Sequence, residues 1–153
     1  MWEAFQRFRA LDRKAQRVFG RAAILLPWVQ LSLRLRGFKT TKALLQAKLR
    51  PGPVASNRDP AESVHMVTRM VGAAAHYGMA RPNCLEQSLV LWYLLQSEGV
   101  TAPLRIGVRK LQQKLEAHAW VEFAGAPLNQ GEWTSPRYAA FESEFSDLPG
   151  ENP

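Results

Sequence analysis

Among its 153 residues the chain holds a single cysteine, Cys84, which excludes an intramolecular disulfide framework and suits a reducing cytoplasm. Long apolar runs are missing too. The longest stretch, "AAILLPWVQLSL", is about a dozen residues interrupted by Pro27, well short of the roughly 20 that a membrane span requires. The opening "MWEAFQRFRALDRKAQRVFGR" scatters arginines where a signal peptide needs an apolar core followed by a cleavage site. No HxxxH or CxxC spacing occurs, so Cys84, His118 and either His65 or His76 make a poor ligand set, and no metal or other cofactor is expected. There is no internal repeat and no low-complexity segment. The expectation is a soluble, cytoplasmic, single-domain chain long enough to bury a core without staples.

Acidic residues are scarce in the first third. Residues 1–50 hold twelve Lys and Arg against Glu3 and Asp12, while the whole chain has a net charge of +7, so the remainder is slightly acidic. That asymmetry points to an acidic partner for the N-terminal part, whether a peptide, a protein, a membrane surface or nucleic acid. The competing reading is a solvated helix face.

What is present divides the chain in two. Over residues 1–50 the apolar residues recur at helical spacing, first Phe5, Phe8, Leu11, Ala15 and Val18, then Leu31, Leu35, Phe38 and Leu45, in helical pieces around Pro27 and Gly37. Residues 51–60, "PGPVASNRDP", read as a linker. A helix is predicted from about Ala61 to His76, with Asp59 as N-cap ahead of Pro60 at the first helical position. The core is placed at 61–148 and a tail at 149–153.

After Asn83 the pattern is almost continuously apolar from Leu85 to Leu95 and stops at Gly99. A helix apolar on nearly every side must be buried on nearly every side, which makes it central. "APLRIGVRK" then alternates at strand period, and "AHAWVEF" alternates with His118, Trp120 and Glu122 on one face. Ala124 and Gly125 make a turn, and "APLN" starts a third strand. The fold class is α+β, a central buried helix against an antiparallel sheet with a helical N-terminal half.

Cys84 falls at the first turn of the central helix, where unpaired N–H groups and the helix dipole favour a thiolate. The same amides can stabilise an oxyanion. An imidazole from His118, on a strand expected to pack against this helix, would complete a Cys-His pair. The other reading of a lone cysteine is a small buried hydrophobe.

The segments "NCLEQSLVLWYLLQSEGVTAPLRIGV" and "AHAWVEFAGAPLN", with the later "RYAAFE", together resemble the transglutaminase-like cysteine protease domain of lasso-peptide biosynthesis, the B protein that removes the leader from the precursor peptide. The basic helical N-terminal half is similar to the short, split form of that protein. The resemblance implies a transglutaminase/papain-like core, with the nucleophile at Cys84 and the histidine at His118. Trp120, on the face of His118, is the candidate for substrate contact. The family's third member, an aspartate shortly after "LN", falls on Gln130, and no Asp or Glu occurs between Glu122 and Glu132. An amide oxygen can hold the imidazole, as in Cys-His-Asn proteases, without supplying a charge. If Ala124 and Gly125 alone form the turn, Trp120 pairs with Asn129 and puts Asn129 on the face of His118; a three-residue turn exchanges the faces in favour of Gln130. Both stay open.

Longer relatives carry a winged-helix recognition domain that residues 1–60, with no strand pattern, do not match. The resemblance therefore implies three partners: the precursor's leader, a separate leader-recognition protein of winged-helix type, and the ATP-dependent macrolactam cyclase. It implies no nucleic acid. The alternative function is a catalytically weakened binding module of the same pathway.

Overall fold

A computed structural model of the chain describes residues 12–49, 59–111, 114–129 and 139–140. Three helices and four strands are built from them: α1 (Arg13–Lys48), α2 (Pro60–Tyr77), α3 (Cys84–Ser97), β1 (Leu104–Leu111), β2 (Lys114–Phe123), β3 (Ala126–Pro127) and β4 (Ala139–Ala140). The strands form one antiparallel sheet in the order β3-β2-β1-β4. Helices on one side and a small sheet on the other confirm the α+β class.

α1 is two helical pieces, and the break falls at Gly37 rather than Pro27. Gly37 has φ 76° and ψ 177°, a region that essentially only glycine occupies. The Ser32 and Thr41 hydroxyls meet at 2.9 Å, although nine residues of straight helix rise about 13 Å; the chain must fold back at Gly37. Thr41 also donates to the Gly37 carbonyl at 2.8 Å. Pro27 stays inside the helix on its exposed side, where the carbonyl that it deprives of a donor can face water.

α2 begins as the sequence predicts. Asp59 accepts from the Ala61 N–H at 2.9 Å and Pro60 takes the first helical position. α1 runs antiparallel to α3, with Lys14 against Glu98 (2.6 Å), Arg21 Nη2 against Ser97 Oγ (3.2 Å) and Gln30 Nε2 against Glu86 Oε2 (3.4 Å).

α3 is the centre of the fold. Leu89, Val90, Leu91, Leu94 and Leu95 are fully buried, each leucine contributing about 1.5–3 kcal/mol by leaving water. The helix ends in a Schellman turn: Gly99 has φ 79°, Val100 N–H reaches the Leu95 carbonyl, and Gly99 N–H that of Gln96. Val121 of β2 belongs to the same buried cluster as Val67 and Val71 of α2 and Leu26 and Val29 of α1, with α3 as the helix on which β2 packs.

The hairpin after β2 settles the register. Phe123 faces Ala126 and Glu122 faces Pro127, so Ala124 and Gly125 alone make the turn, and their φ of 50° and 78° mark it as type I′. The ladder itself closes at Pro127, earlier than the third strand expected from "APLN".

Candidate functional site

Cys84 is the first residue of α3 and is half-buried. A reciprocal capping box fixes this end: Asn83 Oδ1 accepts from Glu86 N–H at 3.0 Å, and Glu86 Oε2 accepts from Asn83 N–H at 2.9 Å. Gln87 N–H is taken by the Asn83 carbonyl. Among the described residues, that leaves the N–H groups of Cys84 and Leu85 as the first-turn donors without an acceptor, beside the sulfur.

His118 stands on β2, half-buried, with its Nε2 atom shielded from solvent. Its ring stacks on Trp120, centroids 6.0 Å apart and planes 17° from parallel. Trp120 itself is only 7% exposed, so most of its surface is spent on packing, and any contact with a substrate rests on the small part left open. On the same face Arg105 Nε and Glu122 Oε2 approach to 3.5 Å, a partly exposed pair that contributes little.

A short hydrogen-bond chain locks α3 to β2 between these two residues. Ser88, one helical turn beyond Cys84 and fully buried, donates to the Ala119 carbonyl at 2.9 Å. Asn129 Nδ2 donates to Ser88 Oγ at 2.7 Å, and Asn129 Oδ1 accepts from Val121 N–H at 2.9 Å. Leu128 N–H reaches the Val121 carbonyl at 2.8 Å. In an antiparallel strand, N–H and C=O of one residue point to the same side, so Ala119 and Val121 turn their polar groups to the β3 edge. Because β3 stops at Pro127, two side chains complete what a longer strand would have supplied. The turn of α3 that follows Cys84 is thereby tied to the residue that follows His118.

Asn129 lies beyond the end of the β2–β3 ladder, and its amide is occupied by Val121 and Ser88. Gln130 lies outside the described residues. His65 and His76 are exposed on α2, the latter edge-on to Tyr77 at 4.6 Å, and among the described residues no three His, Cys, Asp or Glu side chains gather into a metal site. A cavity of about 290 Å³ lined by Asp12, Lys14, Glu62 and Met66 sits at the start of α1, which the antiparallel packing puts at the far end of α3 from Cys84.

The sequence reading singles out neither Glu86 nor Ser88. Both left a signal: Asn83 and Glu86 have capping-box spacing ahead of an apolar run, and Ser88 is the lone serine or threonine inside "LEQSLVLWYLL", four residues after the cysteine.

No curated protein and no solved structure matches this chain. A family model does, described as the transglutaminase-like superfamily and aligned over residues 25–143. That span covers well over half of the sequence, from the middle of α1 through the cysteine-bearing helix and the sheet, and on this match the chain belongs to the transglutaminase-like superfamily.

Proposed function

We propose that this protein is a cysteine peptidase that removes the leader from a lasso-peptide precursor, working with a separate leader-recognition protein. The observation that carries the reading is the placement of half-buried Cys84 at the first residue of a buried helix, locked through Ser88 and Ala119 to the strand that bears His118. In the proposed reaction His118 takes the proton of the Cys84 thiol as the sulfur attacks the scissile carbonyl. The Cys84 and Leu85 amides face the developing oxyanion. His118 then returns the proton to the departing amine, and water hydrolyses the thioester to release the leader's carboxylate and the free thiol. Gln130 or Asn129 holds the imidazole. The leader resemblance, "HAWVE" and "LRIGV" around the cysteine helix, supports the substrate class; the basic α1 supports contact with an acidic partner, whether the leader, the recognition protein or the macrolactam cyclase. The setting is the cytoplasm.

One observation favours a second reading, a transglutaminase-like binding module with weakened chemistry: no carboxylate occurs between Glu122 and Glu132, and the Asn129 amide is already bonded. Mass spectrometry of precursor mixed with recognition protein and this chain separates the two. Leader release by the native chain and none by Cys84→Ala is the expected result; release at an equal rate by the alanine variant removes the peptidase reading, and no release by either supports the binding module.

A further inference from the structure

α1 leaves an apolar face uncovered. Ile24, Leu31 and Leu35 are 73%, 57% and 73% exposed, and their spacing of seven and four residues keeps them on one side of the helix, beside exposed Pro27. The opposite side of the same turns, Ala22, Leu26 and Val29, is buried in the core. Among the described residues α1 is the helix long and apolar enough by composition to cross a bilayer. With one side committed to the core, only the other is free to meet an apolar phase.

The charge around that face has one sign. From Arg13 to Lys48 there are nine Lys and Arg and neither Asp nor Glu. Arg13 and Arg17 are exposed on the same side, N-terminal to the apolar stretch, and Arg34 and Arg36 are exposed on its two flanks near Leu35. A convex ridge of aliphatic side chains offers no groove to a protein partner. It does match the boundary between acyl chains and anionic headgroups, where apolar side chains enter and guanidinium groups stay at the phosphates. We propose that this face of α1 is a peripheral docking surface for anionic phospholipid, holding the protein on a membrane without crossing it.

The test is co-sedimentation of the full chain with vesicles of phosphatidylcholine alone and of phosphatidylcholine mixed equally with phosphatidylglycerol. Partition into the anionic vesicles should be at least about tenfold stronger, because each cation near the surface adds attraction, and high salt should weaken it by screening. The triple variant Ile24→Gln/Leu31→Gln/Leu35→Gln should lower partition by about tenfold or more through lost apolar insertion. Arg13→Gln/Arg17→Gln/Arg34→Gln should remove the preference for anionic lipid. All six positions are exposed, so both variants should melt with the native chain; lipid-free leader cleavage should match the native chain in Ile24→Gln/Leu31→Gln/Leu35→Gln, which touches none of the basic groups proposed for partner contact, and this separates the result from the peptidase reading. Equal partition into both vesicle types overturns the proposal, as does unchanged binding by both triple variants. Absent vesicle binding with self-association, or with binding to an acidic protein, that the Ile24→Gln/Leu31→Gln/Leu35→Gln variant abolishes also overturns it and assigns the face to a protein interface.

Discussion

Ser88 and Ala119 are joined by a hydrogen bond of 2.9 Å that links the turn after Cys84 to the residue after His118. Ser88 accepts from Asn129 in the same cluster, so its hydroxyl serves two partners, the buried Ala119 and the half-buried Asn129. Ser88→Ala should destabilise the fold by about 1–3 kcal/mol, since the Ala119 carbonyl and the Asn129 amide both lose a partner. Thermal or urea unfolding measures it. The double variant with Asn129→Ala should cost less than the sum of the singles, with a coupling of about 0.5–3 kcal/mol. Strict additivity would show that the chain of bonds does not act as a unit.

The left-handed positions give a pair of opposite predictions. Gly37 has open space where a Cβ would go, so Gly37→Ala meets no clash and its whole cost is backbone strain, about 1–3 kcal/mol for that region. Ala124 already pays such a cost at φ 50° in the type I′ turn. Ala124→Gly should therefore raise stability, by up to about 1 kcal/mol, once the extra freedom of the unfolded chain is set against the relief. Melting temperatures moving in the same direction for both variants would contradict this account.

Much of this architecture is legible in local patterns. Asp59-Pro60 marks the start of α2, the unbroken apolar run after Asn83 identifies the central helix, and Gly99 stops it, because each signal acts within a few residues of where it is written. Gly37 and Pro27 both read as interruptions, yet only Gly37 breaks α1; an exposed proline costs one hydrogen bond, whereas a backbone at φ 76° cannot continue a helix. The Ser88–Asn129 lock was not legible. It joins residues 41 apart and exists because β3 is too short to pair the edge of β2, a property of tertiary geometry that no window of sequence contains.

The cysteine and the histidine make a chemical prediction that needs no substrate. If His118 activates Cys84, iodoacetamide should alkylate the native thiol rapidly near neutral pH with a chelator present, and His118→Ala should slow it by about tenfold or more. Cys84→Ala should fold normally, because a methyl group fills similar space. Alkylation with the same rate and pH profile in native and His118→Ala proteins would show that the two residues are not paired.

The third member of the site is the sharpest remaining test, because its two candidates predict different failures. Asn129 is bonded to Val121 and Ser88, so Asn129→Ala should lower the melting temperature together with activity, and the loss should partly return under conditions that stabilise the fold. Gln130 has its role only through the imidazole in the proposed reaction. Gln130→Ala should leave the melting temperature near native and reduce leader cleavage by roughly 10 to 10⁴ fold, wide limits because an orienting amide contributes less than a buried carboxylate. Gln130→Asp should retain or raise activity and shift the acid limb of the rate profile, since a carboxylate both fixes the ring and favours its charged form. Cleavage rates, pH profiles and melting curves on the three variants decide between them. Full activity in Gln130→Ala with loss confined to Asn129→Ala would move the orienting role to Asn129, and full activity in both would leave His118 held by a group other than either amide.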